Sequence, residues 1–132
     1  FRIFHKAHHF LHILIQLFQY VLLLNLEFLF LLDNHEKWRD PNLSLILLSD
    51  LLESNRTYVG EAFKQNVGMT FTEYISHRRI DYVAETLKSD PQSNLTDIHE
   101  LFNYVGYRQR STAWRNFQKV QGMTPSEYIE SL

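Results

Sequence analysis

The phrase "GMTFTEYI" fills Gly68 to Ile75, and "GMTPSEYI" fills Gly122 to Ile129, 54 positions later. Extended backwards, "AFKQNVGMTFTEYI" lies over "NFQKVQGMTPSEYI" with seven of fourteen positions identical, Phe63 matching Phe117. A chain that writes one boundary twice calls for two copies of one local fold. The letters describe where one helix stops and another starts. Gly68 and Gly122 suit the left-handed residue just past a helix end, where a Cβ would clash. Thr70 and Thr124 suit the N-cap of the next helix, with Glu73 and Glu127 three residues on to complete a capping box. Pro125 falls at the first helical position, where its missing N–H costs nothing. Met69 with Tyr74, and Met123 with Tyr128, have the spacing of a hydrophobic staple.

What precedes each phrase is a pair of short helices. In the first unit, "NLSLILLSDLLES" reads as a helix capped by Ser44, with Leu47, Leu48, Leu51 and Leu52 as its apolar positions. After it, "NRTYVGEAFKQN" starts at Asn55 as N-cap and buries Val59, Ala62 and Phe63, leaving Arg56, Thr57, Gly60, Glu61 and Lys64 outward. The second unit follows the same plan. Its first helix, in "NLTDIHELFNYVGY", is capped by Thr96, and Gly106 makes the turn; "RQRSTAWRNFQKV" then buries Ala113, Phe117 and Val120. Arg110, Ser111, Trp114, Arg115 and Gln118 face out. Between the units, "FTEYISHRRIDYVAETLKSD" spaces Ile75, Ile80, Val83, Ala84 and Leu87 helically, which predicts one long connector ending before Pro91. This is a helix-turn-helix present twice.

The charge follows the second unit. The chain as a whole carries a formal −2, yet from Leu101 to Ser126 Arg108, Arg110, Arg115 and Lys119 meet no Asp or Glu. Phosphate attraction is therefore expected there. With no cysteine there is no disulfide, no thiolate nucleophile and no cysteine zinc site, which fits a reducing compartment such as the cytosol. No glycine-rich phosphate loop, paired catalytic carboxylates or nucleophile elbow is present, so an enzyme is not expected. A helical protein-interaction module is the competing class, kept open by Glu61 and the net negative charge. Asn42, Asn55 and Asn94 open Asn-x-Ser/Thr triplets, which helix capping explains without secretion.

Residues 1–32 differ from the rest and are set apart as an apolar N-terminal segment, with the domain following over 33–132. The run from Phe10 to Leu32 is 23 residues long and matches the reach of a membrane span, although His12, Gln16, Gln19, Asn25 and Glu27 argue instead for a packed or partner-binding helix. His5, His8, His9 and His12 share a helical face without a nearby carboxylate to orient them, so no metal site is assigned.

Residues from about Asp40 to Leu132 resemble the DNA-binding domain of the AraC/XylS family of bacterial transcription regulators, above all in "GYRQRSTAWRNF" and "FQKVQGMTPSEY". The resemblance implies an all-α fold of about seven helices. A first helix within Leu26 to Lys37 precedes a helix-turn-helix at about 43–67, a linker helix at 70–89, a second helix-turn-helix at 95–121 and a last helix at 125–132. It implies double-stranded DNA and RNA polymerase as partners, a sensor region upstream, cytoplasmic location and no cofactor; membrane tethering through residues 10–32 stays open. The reading residues implied are Asn55, Arg56, Thr57, Tyr58, Glu61 and Lys64 in the first unit, and Gln109, Arg110, Ser111, Thr112, Trp114, Arg115 and Lys119 in the second. Arg110 and Arg115 suit bidentate contact with guanine, and Trp114 suits a thymine methyl or the sugar backbone. Glu61 would be repelled by phosphate unless it accepts from a cytosine amino group, so the first unit is expected to contribute less. The family's small alanine at each helix crossing is replaced by Ser49 and His99, the latter read as a buried neutral ring. Ala113 stands where a larger apolar residue is common, which would let Trp114 pack partly inward. Arg78 and Arg79 on the connector are read as a solvated face within reach of phosphate.

Overall fold

The computed structural model describes residues 2–34, 36–90, 92 and 95–132, with only the backbone considered over 19–34, 95 and 96. Among these residues there are seven α-helices and no strand. They are α1 (Arg2–Asn34), α2 (Leu45–Leu51), α3 (Arg56–Val67), α4 (Phe71–Ser89), α5 (Leu95–Tyr104), α6 (Arg110–Gln121) and α7 (Pro125–Ser131), with a 3-10 turn at Lys37–Arg39. The first helix expected within Leu26 to Lys37 is the end of α1, which runs unbroken from Arg2 and lies against α3 and the 3-10 turn. The described side chains of the Phe10 to Leu32 run, Phe10 to Phe18, are all exposed, and the rest lie outside the described residues. Among the described residues no helix is long and apolar enough to cross a membrane, and no group of three or more His, Asp or Glu is placed to hold a metal.

The helix boundaries follow the local chemistry. Ser44 Oγ accepts from Leu47 N at 3.1 Å to start α2, and Asn55 Oδ1 accepts from Thr57 N at 2.8 Å to start α3. Gly68 at φ 83° and Gly122 at φ 74° end α3 and α6 in the left-handed region that glycine enters freely. At the start of α4 both halves of the capping box form: Thr70 Oγ1 accepts from Glu73 N, and Glu73 Oε2 accepts from Thr70 N. Thr124 Oγ1 accepts from Glu127 N in the same way to start α7. The expected Thr96 cap lies outside the described residues.

The repeat reappears in the packing. The Phe63 ring meets Tyr74 edge-on with centroids 5.2 Å apart, and Phe117 meets Tyr128 at 5.4 Å, so residues 54 positions apart make the same contact. The tyrosines expected to staple onto Met69 and Met123 thus pack on the phenylalanines of the preceding helices. Tyr128 also donates its hydroxyl proton to Ala84 O at 3.1 Å, which ties α7 to α4. One core joins both units across α4, with Leu48, Val59, Phe63, Ile80, Val83, Leu87, Ile98, Phe102 and Phe117 all buried.

Three expectations from periodicity are corrected. In α2 the inner stripe is Leu45, Leu48, Ser49 and Leu52, spaced three and four apart, which turns Leu51 out to solvent at 47% exposure. Ser49 sits inside because its hydroxyl donates to Leu45 O at 2.6 Å and so leaves no unpaired proton donor. Gly60 is half-buried rather than outward: a Cβ there would stand 3.2 Å from Leu45 Cδ2, so its bareness serves the α2–α3 crossing and does not cost a DNA contact. The third concerns Arg79, which is only 9% exposed. Its Nε donates to Trp38 O at 2.8 Å and its Nη2 to Asp40 O at 2.9 Å, while the guanidinium stands 5.2 Å from the centre of the Tyr107 ring. Arg79 is an internal clamp that holds the 3-10 turn onto α4.

The two helix-turn-helix turns differ by one residue. Ser54 N donates to Ser49 O at 2.9 Å and Tyr107 N to Phe102 O at 2.9 Å, so both first helices end in the same hydrogen-bonded wrap. The left-handed residue inside each wrap is Glu53 at φ 52° in the first and Gly106 at φ 104° in the second. Gly106 is required: a Cβ there would meet Arg39 O at 2.5 Å. Glu53 is tolerated at a cost, since left-handed backbone strains an L side chain by about 1–2 kcal/mol, part of which glycine's greater chain freedom would return. Glu53→Gly should therefore stabilise the chain by about 0.5–1 kcal/mol in urea denaturation; a destabilised variant would show that the carboxylate is held by something stronger than the strain.

Candidate nucleic-acid interface

Each second helix presents a polar face because its apolar residues are used against the core. In α6, Ala113 and Phe117 are fully buried, with the Phe117 ring 6.3 Å from Phe102, and Val120 is partly buried beside them. This leaves Gln109, Arg110, Ser111, Arg115, Gln118 and Lys119 exposed, with Thr112 and Trp114 half-buried. In α3, Val59, Ala62 and Phe63 are buried, and Asn55, Arg56, Thr57, Tyr58, Glu61 and Lys64 are exposed, Tyr58 at 61%. Every proposed reading residue of the first unit is thus at the surface. In the second unit Trp114 divides its area between core and solvent, as the small Ala113 beside it permits.

Two of the named side chains already have duties. Asn55 uses its Oδ1 to cap α3, which leaves its amide N–H groups as donors. Thr112 donates to Gln109 Oε1 at 3.4 Å and faces the space between α4 and α6 rather than the outer face of α6. The fixed charges differ as the letters indicate. Arg56 and Lys64 against Glu61 leave α3 with one net positive charge, whereas Arg110, Arg115 and Lys119 give α6 three.

The side chains between the helices were not apparent from spacing alone. A groove of about 490 Å³ separates the units, with Ser44 on one side, Thr72 and Ser76 of α4 on its floor, and Arg108, Gln109 and Thr112 on the other. Arg108 donates to Asn42 Oδ1, so the turn of the second unit is tied to the loop that opens the first. Asn116 Nδ2 donates to Tyr107 Oη at 3.1 Å and fixes α6 against its own turn. The buried Tyr107 hydroxyl is pushed above its ordinary pKa by desolvation and stays protonated. The one available signal was the pair of small hydroxyl residues four apart on α4, Thr72 and Ser76, which share a face.

His99 is half-buried, and its Nδ1 is buried with no protein hydrogen-bond partner. Desolvation first, and Arg110 second, push its pKa below the usual histidine value, so the ring favours the neutral form beside the start of α6.

Comparison with known proteins agrees with this geometry. The sequence pattern of the helix-turn-helix domain family matches residues 48–131. The chain is 31% identical over 91 residues to the transcriptional regulatory protein YesN of Bacillus subtilis, covering 67% of this chain and 24% of that protein. It is 28% identical over 89 residues to the HTH-type transcriptional regulator YtdP of the same organism, covering 67% of this chain and 11% of that protein. The chain thus spans a quarter or less of these relatives' length. Among solved structures, the C-terminal domain of AraT, a response regulator from Geobacillus stearothermophilus, superposes with a TM-score of 0.66 at 25% identity, covering 74% of this chain and 77% of that one. The chain belongs to the helix-turn-helix family of AraC/XylS-type transcription regulators.

Proposed function

We propose that this chain is the DNA-reading end of a bacterial transcription regulator and that α3 and α6 enter successive segments of the major groove from one face of the duplex. The observation that carries the reading is the duplicated pair of exposed polar helix faces, built on one core and joined by the single helix α4. A helix fits the major groove, and two held about 34 Å apart meet consecutive turns without a second protein. In this reading α6 supplies most of the affinity through Arg110, Arg115 and Lys119, and α3 adds contacts from Asn55, Arg56, Thr57, Tyr58 and Lys64. Glu61 selects for cytosine at the one place where its carboxylate meets a base edge. Arg108 and the hydroxyls of Thr72 and Ser76 suit the sugar-phosphate strand that crosses between the two grooves. The chain acts in the cytosol, and an input region elsewhere in a longer protein governs access to RNA polymerase, in keeping with the regulator titles of its relatives.

The test is the salt dependence of DNA binding. Four to six cations in contact with phosphate predict a log–log slope of about −4 to −5 for duplex DNA, and fluorescence anisotropy with a labelled duplex measures it. A slope near zero, or no binding to a random-sequence duplex at low salt, would overturn the reading.

A further inference from the structure

The first half of α1 is exposed on every side. From Arg2 to Phe18 no side chain is buried, and Ile3 is 81% exposed, Phe4 84%, Phe10 64%, Leu11 55% and Phe18 69%. These residues are not scattered. Ile3, Ala7, Phe10, Leu14 and Leu17 follow steps of four and three, which places them in one line on the helix, with Phe4, Leu11 and Phe18 alongside. His5, His9, His12 and Gln16 fall on the opposite face. A contiguous apolar face of this length on one helix marks a surface that another element covers.

We propose that α1 pairs through this line with the α1 of a second copy, forming a two-stranded helical coil that makes the protein a dimer. The alternation of fours and threes is the signature of helix against helix, because it keeps the seam facing a partner along a supercoil. Its extent fits the area a stable pair needs. Residues 2–18 span about 25 Å, and half the side of a cylinder about 10 Å wide gives about 400 Å² per copy, less than a stable pair requires. The same steps continue in the sequence at positions 21, 24, 28 and 31, all apolar letters on the unbroken α1 backbone. Carried that far, the pair covers about 1,400 Å² in total, within the range of specific interfaces. Charge disfavours a lipid surface as the occupant. Arg2 and Lys6 are the only Lys or Arg in the first eighteen residues, whereas helices that lie on anionic membranes line their polar face with cations.

This inference is independent of DNA binding and is tested without DNA. Sedimentation equilibrium of the full chain at neutral pH should give twice its 15.8 kDa mass. Leu14→Asp with Leu17→Asp should halve the mass, and His5→Asp with His12→Asp should leave it doubled. The fluorescence of Trp38 and Trp114, both outside α1, reports that each variant keeps its folded domain. The proposal is overturned by a monomeric wild type, by an assembly larger than two, by a seam pair that leaves the dimer intact, or by flotation of the chain with phosphatidylglycerol vesicles that the seam pair abolishes.

Discussion

Replacing Arg79 with alanine should cost about 3 kcal/mol of folding stability, although the residue lies in the charged stretch "SHRRID" and looks like surface in the sequence. Two carbonyl oxygens, Trp38 O and Asp40 O, receive its guanidinium at 2.8 and 2.9 Å. Each hydrogen bond to a charged donor contributes about 1.5–3 kcal/mol, and losing both leaves the acceptors without a partner where water enters poorly. Burial lowers the Arg79 pKa, and the attractions of the neighbouring Tyr107 and Asp40 oppose that shift. An arginine so placed keeps its charge in a protein. Arg79→Lys should recover less than half of the loss, because a point ammonium cannot reproduce the two-pronged fork. Urea unfolding followed by tryptophan fluorescence measures it, with Trp38 a direct reporter of the clamped turn. A loss below about 0.5 kcal/mol would mean that the turn is held by its other contacts, such as Arg39 donating to Tyr104 O.

On the binding side, Arg110→Ala and Arg115→Ala should each weaken the preferred DNA site by about 1–3 kcal/mol, roughly 5- to 150-fold, while changing random-sequence affinity much less. Both side chains are exposed on the face of α6 opposite its buried Ala113 and Phe117. Such substitutions leave the fold alone, and the ratio of specific to random affinity is the quantity to read. Base preference at the contacted position should relax in each variant. Loss of the same size on every sequence would reassign them as phosphate contacts, with the salt slope falling by about one for each. The matching substitution in α3, Arg56→Ala, should cost less, since Glu61 offsets part of the positive charge on that helix.

These two positions show what sequence reading reaches and where it stops. Caps and stops are local chemistry, so Ser44, Asn55, Thr70, Gly68 and Gly122 were legible from a few adjacent letters, and each has the role that its type and spacing require. The repeat exposed the two-unit architecture, because identical boundaries 54 positions apart need identical surroundings. Partners distant in the chain were not legible. Arg79 shares its helical stripe with Ile75 and Val83, a sign that it points inward, but its acceptors are backbone oxygens some forty residues earlier in an irregular segment that no periodicity describes. Gly60 misled for a similar reason. Counting turns placed it outward, and only the close approach of Leu45 from the crossing helix shows why a side chain is missing. In α2 seven residues hold too few turns for the apolar pattern to choose between Ser49 and Leu51 as the inward position, and the serine wins because its hydroxyl pairs with its own helix.

A hydroxyl-radical footprint on a duplex selected from random DNA tests the central claim most directly. Two grooves read by one chain predict protected segments in pairs, about 10 base pairs apart and on the same face of the helix. A single protected segment for each bound chain, with α3 substitutions leaving it unchanged, would contradict the account.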